Sequence, residues 1–155
     1  MQPNHGLSRW TLRLDGIFLA FAGGAAMITE TVGHFLGIGP MAATLRSPYT
    51  IGGFEAHGLA IIVAVLLLRA SALADRRLWH VVGLSVHLLL GSANILFWTS
   101  FVQLGLLEVG FVTTALHIIF AVAQAACLGG SPEEPRAMRD NRERHRRHGV
   151  EAIED

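Results

Sequence analysis

The sequence predicts an all-α protein, an integral membrane four-helix bundle with both termini on the cytoplasmic side. Long apolar stretches, a low content of charged residues and the distribution of arginine predict this fold. Only 15% of the 155 residues are charged, and the mean hydropathy is +0.46, whereas soluble domains carry about 25% charged residues. The composition is therefore typical of a chain that is surrounded by lipid over most of its length.

Four apolar stretches are long enough for a helix, which rises 1.5 Å per residue, to cross about 30 Å of hydrocarbon. Transmembrane strands would alternate apolar and polar residues, and these stretches do not. We therefore expect a four-span bundle over residues 1–130 and a charged cytoplasmic tail over residues 131–155. The predicted spans are residues 16–35, 53–72, 78–101 and 104–128.

The arginines predict the orientation. They lie before span 1, between spans 2 and 3 and after span 4, whereas the other two loops carry only Arg46. Cytoplasmic loops are enriched in basic residues, so we expect a multi-pass protein of the inner (cytoplasmic) membrane. A cleaved secretory signal in place of span 1 is the alternative, but it would leave three spans and separate the basic segments.

The charged tail interleaves arginines with acidic residues, which disfavours nucleic acid as a partner. The expected partners are the lipid bilayer and, beyond it, further copies of the chain or a larger membrane complex. No catalytic nucleophile with its base and no phosphate-binding or dinucleotide motif is recognisable. A single cysteine excludes an internal disulfide framework.

Ionisable residues within spans are costly and often functional. Glu30 and His34 are four residues apart and share a helix face, and His57 is expected at a similar depth on span 2. Together with Glu55 or Glu108 they form a candidate site for a transition metal ion. The alternative is that Glu30 pairs with a histidine while Glu55 and Glu108 are solvated residues at helix starts.

His87 and His117 form a second candidate site, because their expected depths on spans 3 and 4 are nearly equal. Two imidazoles on facing helices can ligate haem b from both sides, and Gly91 would leave room for the macrocycle. The alternative is a structural hydrogen bond, made between the two histidines or with neighbouring polar residues, which include Ser85, Thr113, Thr114 and Gln124.

A polar seam is predicted along span 3. His80, His87 and Asn94 recur every seven residues, so they should face the bundle interior. His80 lies beside Trp79, and we expect it to be an amphipathic anchor at the membrane interface. Thr113 and Gln124 are the further polar residues expected within span 4.

The segment IGGFEAHGLAIIVAVLLLRA, with Gly53, Glu55 and Gly58 before an apolar run that ends in arginine, resembles the second span of DoxX-like small four-helix membrane proteins. The resemblance covers about one helix in four. It implies a four-helix membrane fold, and some members of that family are linked with quinone-dependent respiratory redox systems.

The leading functional hypothesis from the sequence is a small redox-associated membrane protein that binds a metal ion or haem through its Glu/His residues. Two other classes stay open. One is a non-enzymatic accessory or assembly subunit in which the histidines are structural. The other is a small proton-coupled carrier, in which Glu30 would load protons from outside.

Overall fold

A computed structural model describes residues 5–39, 42 and 50–129, and every regular element within them is an α-helix. The predicted tail, residues 131–155, and most of the loop between the first two spans lie outside the described residues. The helices are α1 (His5–Leu36), α2 (Thr50–Ala70), α3 (Arg77–Leu96), α4 (Trp98–Gln103) and α5 (Leu107–Leu128).

Four of these helices, α1, α2, α3 and α5, are long and apolar enough to cross a membrane. Two bounds differ from the predicted spans by about five residues or more, and the others agree to within about three. α1 begins at His5 rather than at residue 16, because its first turns are amphipathic and lower the local hydropathy. α3 ends at Leu96 rather than at residue 101, because the backbone of the next residue, Phe97 (φ −103°, ψ 29°), breaks the helix before the short α4 begins.

The long helices form two antiparallel hairpins. α1 packs along α2, and α3 packs along α5, while the hairpins meet where α1 lies against α3 and α5. We call one end of the bundle the arginine end, because α1 and α3 begin there and α2 and α5 end there. Its arginines in these helices and their connection are Arg9, Arg13, Arg69, Arg76 and Arg77.

The apolar core lies in the half of the bundle nearest the arginine end. Leu12 and Leu19 of α1 pack there with Leu67 and the alanines 64 and 70 of α2. Many large apolar side chains elsewhere, such as Phe21, are exposed. A surface of this kind suits lipid contact, and it would be a liability in water.

Two glycines allow α1 and α2 to approach closely. A Cβ atom on Gly16 would lie 2.9 Å from the carbonyl oxygen of Ala64, and one on Gly23 would lie 2.9 Å from that of His57. Small residues at such points let backbones pack against each other in membrane bundles. These contacts fix the register of the first hairpin.

Replacing Gly23 by alanine should loosen that hairpin, because the new methyl group would meet backbone that cannot move independently of α2. We expect a loss of about 1 to 3 kcal/mol in the free energy of unfolding, as for other overpacked sites. Thermal unfolding in detergent measures it. Gly24→Ala is the matched control, since its Cβ would meet open space, and equal stability of the two variants would contradict the close packing.

Candidate functional site

Three helices each contribute two polar side chains, seven residues apart, to the interface between the hairpins. Seven residues correspond to about 10 Å along a helix, so these side chains form two layers. We call them the outer layer, near the arginine end, and the inner layer, deeper in the bundle. The outer layer comprises Ser8, His80 and Gln124, and the inner layer comprises Asp15, His87 and His117.

The outer layer is joined by hydrogen bonds to both nitrogens of His80. Nε2 of His80 lies 2.7 Å from Oγ of Ser8, and Nδ1 is hydrogen-bonded to Oε1 of Gln124. Because an amide oxygen only accepts, Nδ1 must donate, and a neutral His80 then accepts the Ser8 hydroxyl proton at Nε2. His80 is 2% exposed, so the expectation of an interfacial anchor was wrong.

The inner layer is a carboxyl group with two imidazoles in series. Nε2 of His87 lies 2.7 Å from Oδ1 of Asp15, and Nδ1 of His87 lies 2.9 Å from Nδ1 of His117. Asp15 and His87 have no exposed side-chain surface. One proton lies between the two Nδ1 atoms and can be carried by either ring.

Gln124 connects the two layers. Its Nε2 donates to Oδ2 of Asp15 while its Oε1 accepts from His80. Gly83 of α3 makes the space for this arrangement, since a Cβ there would lie 2.8 Å from Cδ of Gln124 and 3.0 Å from Oδ2 of Asp15. Both amide ends are therefore used, and the amide orientation is determined by its two partners.

Among the described residues, no arginine forms an ion pair with Asp15, whose partner is His87. The guanidinium of Arg13, two residues away, instead bonds Oγ of Ser71 through Nε at 3.3 Å and lies over the Trp10 ring. A buried carboxylate without a compensating charge is strongly unfavourable. Asp15 as a carboxylate with two neutral imidazoles carries one negative charge, so this group of three becomes neutral when it binds one proton. The side chain nearest to the Asp15 carboxylate that could carry this proton is His87.

Aromatic rings enclose the two imidazoles. Phe120 stacks on His87 with ring centroids 5.1 Å apart, and Phe18 meets His117 edge to face at 5.8 Å. The two phenyl rings also stack on each other at 5.2 Å. This enclosure excludes bulk water, and aromatic faces stabilise a ring that becomes an imidazolium.

Two residues of the predicted polar seam of α3, His80 and His87, are buried in the bundle interior, and the third, Asn94, is half-buried against α5. Beyond His80 and His87, the amide of Asn94 donates to Oγ1 of Thr113 at 3.1 Å. Three hydrogen bonds thus join α3 and α5. The predicted spans 78–101 and 104–128 are separated by a short connection, which already favours antiparallel neighbours for these two helices.

The geometry of His87 and His117 matches the structural alternative, in which the two histidines bond each other. Metal–imidazole bonds are about 2 Å long, so two nitrogens on opposite faces of one iron would be about twice that distance apart. The space that Gly91 makes is filled by His117, whose Cβ would lie 3.4 Å from a Cβ at residue 91. The described residues do not fit a haem between these rings.

A second polar pair lies towards the other end of the bundle, where Nδ1 of His57 is 3.0 Å from Oε1 of Glu30. The Glu30 side chain is 12% exposed and that of His57 is 39% exposed. Oε2 of Glu30 is buried and has no hydrogen-bond partner among the residues that the structure describes. A Cβ at Gly53 would overlap the carboxyl group, so this glycine allows Glu30 to lie against α2.

Of the predicted metal set, the contact that the described residues show is the one between Glu30 and His57. Glu55 and Glu108 are exposed. His34 is half-buried beside Phe35, with ring centroids 4.8 Å apart. Within the part of the chain that the structure describes, no three His, Cys, Asp or Glu side chains form a group that could hold a metal ion.

Asp15 is the central residue of the site that the sequence analysis missed. It precedes the first predicted span by one residue, and helix α1 carries it three turns inward from His5. The seven-residue spacing of Ser8 and Asp15, which matches that of His80 and His87, is the signal that could have identified it.

Comparisons with known proteins add no neighbour: no family model, no curated protein and no solved structure matches the chain. The resemblance of α2 to a DoxX-like span stays a prediction. The site therefore has to be interpreted from its own chemistry.

Replacing His87 by leucine should destabilise the bundle, because it leaves Asp15 and His117 without their shared partner. Removing one member of a buried pair costs about 3 to 5 kcal/mol. Unfolding in detergent, followed by circular dichroism, measures the loss. Ser85→Ala is the control on α3, since Ser85 is exposed and bonds only the carbonyl oxygen of Val81, and it should change stability by less than about 0.5 kcal/mol.

Wild-type stability of His87→Leu would contradict the inferred contribution of this network. A Soret band in the purified protein, lost in both His87→Ala and His117→Ala, would contradict the direct imidazole pair and support the haem hypothesis.

Proposed function

We propose that this protein is a small proton-coupled membrane carrier and that the inner layer, Asp15, His87 and His117, is its buried proton-binding site. The four long apolar helices support membrane insertion, and the arginine distribution supports an orientation with both termini in the cytoplasm. In that orientation the arginine end faces the cytoplasm. Four spans enclose little volume, so the carrier would work as a homo-oligomer or within a larger complex.

One observation carries the proposal: a fully buried carboxyl group is bonded to an imidazole that is bonded to a second imidazole. Intramembrane chains of carboxyl and imidazole groups recur in pumps and transporters as proton relays. Here the carboxylate with two neutral imidazoles carries one negative charge, and one bound proton cancels it. The buried site is therefore stable when loaded and has to be opened to water before it releases the proton.

Glu30 and His57 supply a second proton-exchanging group on the opposite side. The exposed fraction of His57 gives its ring access to the surroundings, while Nδ1 faces the carboxyl group of Glu30. A proton bound to Glu30 would neutralise a carboxylate that has one buried oxygen without a partner. We assign this pair to proton entry, in line with the loading role expected for Glu30.

The rival function is that of an accessory subunit in which the same hydrogen bonds only hold helices together. Interhelical hydrogen bonds in membranes contribute about 0.6 kcal/mol each, and three of them join α3 to α5. The two functions differ in whether the network gains and loses protons. A structural network keeps its protons at every pH at which the protein is folded, whereas a carrier's site binds and releases them.

Asp15 should change its protonation state during function, and infrared spectroscopy can observe the change. In membranes titrated through the folded range, we expect the carbonyl-stretch band of one protonated carboxyl group to appear and disappear reversibly. The band should be absent in Asp15→Asn. A folded protein whose spectrum shows no titrating band that depends on Asp15 would support the accessory-subunit alternative.

Glu30→Gln should slow proton uptake, because the amide cannot bind the proton that the carboxylate receives beside His57. We expect the initial rate of proton uptake to fall about tenfold or more, because a positioned proton-transfer group usually contributes at least this much. A pH-sensitive dye in proteoliposomes measures the rate. Glu55→Gln and Glu108→Gln are the matched controls at exposed positions, and equal rates in all three variants would exclude entry through Glu30.

A further inference from the structure

We propose that Gln124 is a proton barrier between the inner and outer layers, so that the proton held by Asp15, His87 and His117 cannot pass to His80 while the Gln124 contacts are intact. This inference rests on the proposed proton-binding function of the inner layer. It assigns Gln124 a positioning role: the residue separates two groups that could otherwise exchange a proton.

The barrier follows from the chemistry of the bridging group. Imidazole, hydroxyl and carboxyl groups can accept a proton at one atom and release one from another. To pass a proton from Asp15 to His80, Nε2 of Gln124 would have to accept a proton from Oδ2 of Asp15 while Oε1 released one to Nδ1 of His80. The amide nitrogen has no basic lone pair and the amide oxygen carries no proton, so neither end of Gln124 can make its half of the transfer.

Gln124 and its contact with Asp15 are closed to solvent in the part of the chain that the structure describes. Gln124 and Asp15 are both 0% exposed. Gly83 brings the α3 backbone against the Gln124 side chain, so that not even a methyl group fits between them. Transfer to the outer layer therefore requires the Gln124–Asp15 contact to break.

On the other side of this barrier the path to the arginine end is short. His80 bonds Gln124 at Nδ1 and Ser8 at Nε2, and Ser8 is only half-buried near the start of α1. The outer layer can therefore exchange protons with water at the arginine end while the inner layer is sealed. A carrier needs such a seal, because an open path would dissipate the proton gradient.

Gln124→Glu tests the inference, since a carboxyl group of almost the same shape can transfer protons. We expect the ring N–H protons of His87 and His117 to exchange with water about tenfold faster or more, which corresponds to a barrier lower by ~1.4 kcal/mol. Nuclear magnetic resonance of the full chain with 15N-labelled histidine, in lipid nanodiscs, measures the exchange. Adding Ser8→Ala to Gln124→Glu should reverse most of the acceleration.

Gln124→Met is the matched control, because it keeps the side-chain length and removes the hydrogen bonds. If Gln124→Glu exchanges no faster than Gln124→Met, the barrier is one of packing and the inference is wrong. Should Gln124→Glu fail to fold, Gln124→His offers a second proton-transferring side chain, with the same acceleration expected and the same comparison deciding.

The two proposals fail in different ways. A wild-type Asp15 band that titrates, combined with equal exchange in Gln124→Glu and Gln124→Met, overturns only the barrier. A band that never titrates overturns the proton-binding function, whatever the exchange rates of the variants are.

Discussion

Within the described part of the chain, the carboxyl group of Asp15 is buried without an arginine beside it, and the arrangement of the bundle around it follows from that constraint. A carboxylate in such a place needs hydrogen-bond donors on both oxygens. α5 supplies one donor through Gln124, and α3 supplies the other through His87. Asp15 is thus the residue of α1 that bonds both helices of the second hairpin, and the core residues Leu12 and Leu19 lie on the same helix one turn away on either side.

The repeat of seven residues explains how the contacts of Asp15 extend to a network. Helices that cross at a small angle present residues seven apart on the same face. The hydrogen-bonded side chains of the inner layer are therefore followed, about 10 Å along the helices, by a second set on the same faces, to which α1 contributes Ser8 and α3 contributes His80. On α3 the same repeat continues past the inner layer, away from the arginine end, to Asn94, which bonds Thr113 of α5. α1 carries Ala22 at the corresponding position, so only α3 and α5 remain joined by polar contacts there.

The sequence was sufficient to predict four long helices, the interior seam of α3 and the pairing of α3 with α5, because span length and a repeat of polar residues in an apolar helix are strong signals. It was not sufficient to find Asp15, since hydropathy averages the arginines on the lipid-facing or solvent side of α1 with the polar residues on its interior side. The metal set failed to assemble for a related reason. Depth can be counted along a helix, but Glu55 and Glu108 have rotational positions that put them on the surface, and rotation depends on packing.

The hydrogen bonds of the inner layer also carry a direction. With Asp15 ionised, His87 donates to it from Nε2, and His117 can then donate to Nδ1 of His87. If the group binds one further proton at Nε2 of His117 and each link passes its own proton along, Oδ1 of Asp15 becomes protonated, His87 accepts at Nε2 and donates from Nδ1, and His117 accepts there. The donor sense of both links reverses, and the neutral His117 now carries the added proton at its far nitrogen. Protonation of Oδ1 of Asp15 on α1 would then change the tautomer of His117 on α5, through the ring of His87 and without any movement of the backbone.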